Sequence, residues 1–364
     1  MDAYGNEGLE IMAENSRIRI SVGEGYDVII GQNLLEDCGK RIRDVMGERN
    51  CVIVSDSNVA PLYLDKVSAS CKEAGINTQR FVFEAGEEQK NLTTFGKILE
   101  SLAEARLTRR DFVIALGGGV TGDIAGFAAG CYMRGIPFVQ LPTTVLSMVD
   151  SSVGGKCAVD LPQGKNLTGV FHQPSLVVCD IDTLSTLPPE IFADGCAEAV
   201  KTGILTGGEL YSLLQTEDPK EHISRIISLC IAYKGGVVER DEKEQGERKL
   251  LNLGHTAGHA IEKCSGYTVS HGRAVAVGTA MIARAADRLG WSSEGLTGPI
   301  EKMLSSFGLP VSAAFTPDEL LKAALSDKKR AGKMTTIVVP QSIGCCILKD
   351  VDDDQLLEVF RAGC

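Results

Sequence analysis

Between residues 51 and 119, short β-rich apolar runs alternate with longer stretches of helical spacing, and the last run ends in three glycines. The runs are CVIVSD (51–56), TQRFVF (78–83) and DFVIALGGG (111–119), separated by VAPLYLDKVSASCKEAG and TTFGKILESLAEARL. Continuously apolar strands leave no face for water, so they belong in a sheet covered on both sides, and helices between successive strands make their pairing parallel. The alternation therefore predicts an α/β N-terminal domain built on a Rossmann-like parallel sheet. Beyond about residue 186 the texture changes. PPEIFADGCAEAVKTGIL, KEHISRIISLCIAYKGGVVER, LNLGHTAGHAIE and HGRAVAVGTAMIARAADRLG have helical spacing, and only TTIVVP and CCILK read as strands. With 364 residues the chain exceeds what one core commonly serves. We expect an α/β domain over 1–186 and a mostly α-helical C-terminal domain over 187–364, joined near Leu187-Pro188-Pro189. The first fifteen or so residues carry no pattern and are expected to lack regular structure.

The glycine run constrains function as well as fold. Gly117, Gly119 and Gly122 fit GxGxxG at a strand-to-helix turn, where glycine admits a pyrophosphate close to the backbone and a helix N-terminus supplies N–H donors. A plain tight turn gives the same letters. The acidic ribose ligand of an ordinary dinucleotide fold is due about 20 residues later, where this chain has LPTT (141–144), so a standard dehydrogenase unit fits poorly. A second glycine pair precedes Lys156, and Gly164 precedes Lys165-Asn166. A P-loop at Lys156 needs Gly at 150 and Ser or Thr at 157; the chain has Asp150 and Cys157. Lysines beside glycines suit a small anion, and equally suit solvated turns.

Composition excludes several classes. No apolar run reaches the ~20 residues of a membrane span, and an N-terminus carrying Asp2, Glu7 and Glu10 does not resemble a signal peptide, so a soluble cytoplasmic protein is expected. A formal charge of −11 argues against nucleic acid as a partner, which leaves any anionic ligand to local cations. The twelve cysteines form no CxxC pair and sit in apolar stretches such as those of Cys51, Cys179 and Cys230, as reduced buried thiols do.

The helical half holds the metal candidates. Of five histidines, three fall within seventeen residues: His255, His259 and His271. Four-residue spacing puts His255 and His259 on one helix face, but Thr256 stands where a zinc protease carries its general-base Glu. A catalytic zinc takes three His or carboxylate ligands and keeps one position open. Glu198, within CAEAVK, is an acid in an apolar helix, where an unpaired carboxylate is costly.

Taken together, GEEQK (86–90), ALGGGVTGDIAGFAAGCYMRG (115–135), LPTTVLSMVDSSVGGKCAVDLPQGKNLTGVFHQP (141–174), AEAVKTGIL (197–205), LLNLGHTAGHAIE (250–262), SHGRAVAVG (270–278) and SDKKRAGK (326–333) closely resemble, in order, the 3-dehydroquinate synthase family of the shikimate pathway. The resemblance covers the chain from about residue 17 onward. It implies an NAD-binding α/β domain, a helical domain carrying a divalent metal, zinc foremost with cobalt possible, and an active site in the cleft between them. It makes Glu198, His255 and His271 the metal ligands and His259 a non-ligating proton-transfer residue. Around NAD it places Asp56, Asn58, Glu87, Lys90, Gly117, Gly118, Gly119, Asp123, Thr143 and Thr144. Around the substrate it places Asp150, Lys156, Lys165, Asn166, Lys201, Lys234, Arg248, Asn252 and one of Lys328 and Lys329. Arg134 resembles an arginine that crosses a homodimer interface toward the phosphate. The implied substrate is a small sugar phosphate, 3-deoxy-D-arabino-heptulosonate 7-phosphate, whose phosphate and carboxylate suit this set of cations. The implied cycle removes hydride to NAD, eliminates phosphate, returns the hydride, and closes a ring by an intramolecular aldol step. The substrate's own phosphate can serve as the base for elimination.

Three residues depart from the family's habit: Arg273 where Glu is common, Ala257 where Phe or Leu is common, and Thr202 where Tyr is common. Arg273 is expected to alter the electrostatics behind His271. Two alternatives compete. Other sugar-phosphate cyclases, such as 2-deoxy-scyllo-inosose synthase, share the machinery but accept sugars without a carboxylate, for which Lys234 and Arg248 would be unneeded. A metal-dependent polyol dehydrogenase would release NADH and have no use for the GGK and GKN block.

Overall fold

The structure is a computed structural model that describes residues 9–11, 15–216, 218–293, 295–325 and 334–364. Two compact units divide the chain. The first comprises the residues up to Leu187 together with Lys234–Glu242, and the second comprises Pro188–Tyr233 and Lys243–Cys364.

The first unit runs β1 (Leu9–Ile11), β2 (Ser16–Ile20), β3 (Tyr26–Gly31), α1 (Cys38–Met46), β4 (Asn50–Asp56), α2 (Ala60–Glu73), β5 (Asn77–Phe83), α3 (Leu92–Glu104), β6 (Phe112–Gly117), α4 (Gly119–Cys131), β7 (Phe138–Pro142), β8 (Lys156–Leu161), β9 (Gly164–Phe171) and β10 (Leu176–Asp180). Eight strands form one sheet in the order β1-β2-β3-β10-β7-β6-β4-β5. From β3 to β5 every neighbouring pair is parallel, as the alternation predicted. Period-two burial explains why. Cys51, Ile53, Phe112, Ile114 and Leu116 enter a core cluster on one face with residues of α1 and α2, while Val52, Val54, Val113 and Ala115 enter a second cluster with residues of α3 and α4. Local signals set the helix ends: the Asn91 side chain caps α3 by accepting from the Thr93 and Thr94 N–H groups, and Pro61 lies in the first turn of α2.

The sheet is not parallel throughout. β1 pairs antiparallel with β2, and β2 with β3 across the short turn at residues 21–25. Thus Leu9–Ile11, within the stretch expected to be irregular, forms an edge strand, and the other residues up to 14 lie outside those described. The hairpin β8–β9, which no sequence pattern announced, carries both lysine-glycine motifs.

The second unit contains α5 (Pro189–Thr206), α6 (Gly208–Leu214), the first part of α7 (Ile223–Arg240), α8 (His255–Cys264), α9 (His271–Arg288), α10 (Thr297–Ser306), α11 (Pro317–Leu325), the antiparallel pair β11 (Thr335–Ser342) and β12 (Cys345–Val351), and α12 (Asp353–Gly363). The last helix opens on a capping box between Asp352 and Gln355. Helix α9 is the centre of this unit, buried along most of its length and packed by α5, α8, α10 and α12. Close packing is built into its glycines. A Cβ on Gly278 would stand 2.0 Å from the Gly254 carbonyl oxygen, and one on Gly272 would stand 1.9 Å from that of Asp194, so α8 and α5 reach α9 at backbone distance. All twelve cysteines are free thiols; seven are buried, including Cys51, Cys179 and Cys230, while Cys131, Cys345 and Cys364 are exposed. Among the described residues no helix is long and apolar enough to cross a membrane.

Candidate active site

In the first unit the site residues gather at the carboxyl ends of three adjacent strands. Asp56 ends β4, Gly117 ends β6, and Thr143 and Thr144 follow β7. This is the edge at which open α/β sheets take their ligands. Gly118 caps α4, whose first-turn N–H groups and positive dipole end face outward from the turn. A Cβ on Gly118 would stand 3.2 Å from Thr144 Cγ2, and one on Gly119 would stand 3.2 Å from Ser151 Oγ. The Thr143 hydroxyl is buried there without a hydrogen-bond partner, so the turn has the bare backbone and spare donor that suit a dinucleotide's pyrophosphate. Asp56 is occupied differently. Its Oδ1 accepts from the Asn58 and Val59 N–H groups at 3.0 and 3.1 Å, and its Oδ2 accepts from Thr121 Oγ1 at 3.0 Å, so the carboxylate clamps the start of α2 to α4.

Charged residues beside this turn form a closed network. The buried Lys90 ammonium lies 2.6 Å from Asp123 Oδ2 and donates to Asn166 Oδ1 at 2.6 Å. Burial favours neutral lysine, but Asp123 and Glu87 outweigh it and hold the Lys90 pKa up at about 12. Burial likewise pushes Asp123 up, with Lys90 opposing. Asn166 takes a left-handed backbone, and its N–H donates to Asp160 Oδ1 at 2.7 Å. Lys165 lies 3.4 Å from Glu87. Asp150, in a single π-helical turn over Ser147–Ser151, accepts from Lys234 through both Oδ1 (2.9 Å) and its carbonyl (2.6 Å). Lys156 is exposed at the start of β8. Arg134 is exposed just past the far end of α4, in a left-handed turn, on a concave surface shared with Thr108, Arg109, Arg110 and Met133.

In the second unit the ionisable groups converge inside the protein. Glu198, on α5, is 1% exposed and meets three cations or imidazoles. It forms an ion pair with Lys201, one turn on, and its Oε1 lies 3.5 Å from His255 Nε2 and 3.3 Å from His271 Nε2. Neither Glu198 oxygen has a hydrogen-bond partner of good geometry. Burial alone would push this carboxyl up; Lys201, His255 and His271 more than offset that and hold it well below the usual range. Burial pushes the His255 pKa down to about 3, which keeps its ring neutral, and its Nδ1–H donates to the Leu253 carbonyl at 3.1 Å, leaving Nε2 as a lone pair toward Glu198. Burial also pulls on His271, but Glu198 and Glu262 outweigh it and hold that pKa up at about 10.

One ligand atom each from Glu198, His255 and His271 lies within 4.8 Å of the others. A carboxylate and two imidazoles with an unsatisfied buried acceptor among them are a donor set that fits zinc or cobalt. His259 is exposed, its ring centroid 5.4 Å from that of His255 and 6.2 Å from that of His271. Arg248 is fully buried in the turn over Glu247–Asn252, and the Asn252 amide donates to Glu244 Oε1 at 2.7 Å. Lys328 and Lys329 lie outside the described residues, as does the whole SDKKRAGK motif.

Three side chains at these sites escaped the motif reading: Asp160, Glu244 and Glu262. Glu262 had a signal, since it stands seven residues after His255 and so returns to the same helix face. Arg273 is exposed, and its backbone N–H donates to Asp194 Oδ1 at 2.9 Å.

Two family models match the chain, 3-dehydroquinate synthase N-terminal over residues 80–194 and 3-dehydroquinate synthase C-terminal over residues 195–330. The chain belongs to the 3-dehydroquinate synthase family. Among its relatives, the 3-dehydroquinate synthase of Pelobacter propionicus is 41% identical over 94% of this chain and 98% of that protein. That of Clostridium acetobutylicum is 40% identical over 92% and 96%. Among solved structures, 2-deoxy-scyllo-inosose synthase complexed with carbaglucose-6-phosphate, NAD+ and Co2+ is 27% identical over 96% of this chain and all of that one, with a TM-score of 0.85. The 2-epi-5-epi-valiolone synthase of Streptomyces hygroscopicus, with NAD+ and Zn2+ bound, is 25% identical over 93% and 96%, with a TM-score of 0.82. An iron-containing alcohol dehydrogenase from Thermotoga maritima, at 19% identity and a TM-score of 0.64, shares the fold alone. The polyol dehydrogenase alternative therefore has the weaker kinship.

Proposed function

We propose that this member of the 3-dehydroquinate synthase family converts 3-deoxy-D-arabino-heptulosonate 7-phosphate into 3-dehydroquinate and inorganic phosphate, a lyase step that serves chorismate and aromatic amino acid biosynthesis. The observation that carries the reading is Glu198, a fully buried carboxylate whose oxygens lack hydrogen-bond partners yet face the Nε2 atoms of His255 and His271. When bound, NAD supplies a transient hydride acceptor, and a divalent ion, zinc or cobalt, supplies Lewis acidity toward a substrate hydroxyl. Glu198, His255 and His271 hold the ion, and the Gly117–Gly119 turn with Thr143, Thr144 and the N-terminus of α4 holds NAD.

The other residues position charge. Lys201 neutralises Glu198 from behind, which lets a carboxylate stay ionised in a buried place. Lys90 and Asp123, placed beside NAD, fix with Asn166 the shape of the β8–β9 hairpin, and Lys156, Lys165 and Asn166 meet the phosphate. Lys234, oriented by Asp150, and the buried Arg248 are the cations assigned to the carboxylate. His259, at the exposed rim of α8, takes up or releases the proton of a substrate hydroxyl. Arg134 stands beyond the thirteen residues of α4, about 20 Å from the glycine turn at 1.5 Å per residue. That separation supports a role in a second copy's site, and hence a homodimer; we place the enzyme in the cytoplasm.

The test is substrate choice. Phosphate release from 3-deoxy-D-arabino-heptulosonate 7-phosphate, with none from glucose 6-phosphate, is the expected outcome. Phosphate from glucose 6-phosphate alone would contradict it and make the chain a cyclase of the 2-deoxy-scyllo-inosose type.

A further inference from the structure

Helix α8 carries an acid that the roles above leave unused. Glu262 is 1% exposed, although a carboxylate in a helix interior costs several kcal/mol unless something compensates it. Its Oε1 lies 3.6 Å from His271 Nδ1, on the side of the ring opposite the Nε2 that faces Glu198 at 3.3 Å. His271 is thus held between two buried carboxylates, one at each nitrogen. His255 is arranged in parallel: its Nδ1 is engaged by the Leu253 carbonyl and its Nε2 faces Glu198. Each imidazole is gripped from behind, one by a backbone oxygen and the other by a side chain.

We propose that Glu262 is the positioning residue of the metal centre, its carboxylate accepting Nδ1–H of His271 so that the Nε2 lone pair is presented to the ion. This rests on the reading that Glu198, His255 and His271 are the ligands. An imidazole has one proton to place when neutral, and an acceptor at Nδ1 decides the tautomer and raises the basicity of Nε2. At 3.6 Å the pair is longer than a formed hydrogen bond, so a side-chain adjustment completes the contact when the ring seats on an ion. A competing arrangement exists, because His259, Glu262 and His271 also offer three ligand atoms within 4.8 Å. The orphaned acceptors, however, belong to Glu198, and His259 is exposed. The donor set whose carboxylate oxygens lack hydrogen-bond partners is the one containing Glu198.

The experiment measures zinc affinity by competition with a chromophoric chelator, and the visible spectrum of the cobalt form, for the wild type, His271→Ala, Glu262→Met and Glu262→Gln. Both Glu262 variants keep the side chain's length, so packing survives, but only Gln can still accept from Nδ1–H. Glu262→Met is expected to bind zinc about 10- to 100-fold more weakly, with Glu262→Gln recovering most of the loss and both cobalt spectra keeping the wild-type shape. Wild-type affinity in Glu262→Met would overturn the proposal. So would an equal loss in both variants, or a changed cobalt spectrum, since these would make Glu262 a ligand. Retention of zinc by His271→Ala would overturn the ligand reading itself, a separate result from failure at Glu262.

Discussion

The two units prepare for their ligands in opposite ways. In the first, nearly every charge near the glycine turn is already answered within the protein: Asp56 by two backbone N–H groups and Thr121, Lys90 by Asp123 and Asn166, Asp150 by Lys234. What is left open is backbone, namely glycine and a helix N-terminus. In the second unit the converse holds, because the backbone is bonded into helices and the buried Glu198 oxygens, though ion-paired with Lys201, are what lack hydrogen-bond partners. A site of the first kind keeps its shape without its ligand. A site of the second kind holds its carboxylate ionised through neighbouring charges and keeps the lone pairs open for an ion.

The sharpest way to break this contrast is to remove the unsatisfied group. Glu198→Gln is expected to abolish tight zinc binding and reduce activity to background while NAD binding persists, measured by metal analysis and NAD titration; zinc retained at wild-type occupancy would erase the distinction. His259→Ala comes next. It should keep stoichiometric zinc and lose about 10²- to 10⁴-fold in activity, the range for one proton-transfer group. In the first unit, Lys90→Met should act on stability first, because it strands the half-buried Asp123 carboxylate. A loss of about 3 kcal/mol in denaturant unfolding, with zinc affinity unchanged, is expected. The smallest effect concerns pH. His172 donates through Nε2 to the Ile136 carbonyl at 2.8 Å and stacks on Phe138, and burial depresses its pKa against that hydrogen bond. A depressed folded-state value contributes stability above the unfolded pKa of about 6.5, and that contribution is lost as pH falls toward the folded value, by at most about 1.4 kcal/mol per pH unit. Melting curves between pH 7.5 and 5.5 should show this slope in the wild type and a shallower one in His172→Gln.

The same contrast explains what could be read in the sequence. The parallel core of the sheet was legible because strands buried on both faces must be apolar at every position, as in CVIVSD and DFVIALGGG. The antiparallel edge β1–β2–β3 was not, since SRIRI alternates over only two polar–apolar pairs and so short a strand's place depends on its partner. The glycine turn and the clustered histidines stood out because their residue types are rare and their spacing is geometric. Asp160 did not stand out, since acids are common and what distinguishes it is its place beside Lys90; Glu262 had its spacing from His255, but its burial against His271 comes only from the packing of α8 on α9. Where spacing alone left alternatives open, the family motifs supplied the proposed roles, as with the proposed division of His255 and His259 between metal and proton transfer.

The central claim is that oxidation in this enzyme is transient, so that NAD is spent and restored within one turnover. Phosphate release and NADH absorbance followed together, with 3-deoxy-D-arabino-heptulosonate 7-phosphate in large excess over NAD and zinc present, test it most directly. The account predicts phosphate equal to the substrate supplied, with no NADH build-up. NADH accumulating in step with product, or turnover stopping once NAD is consumed, would contradict it.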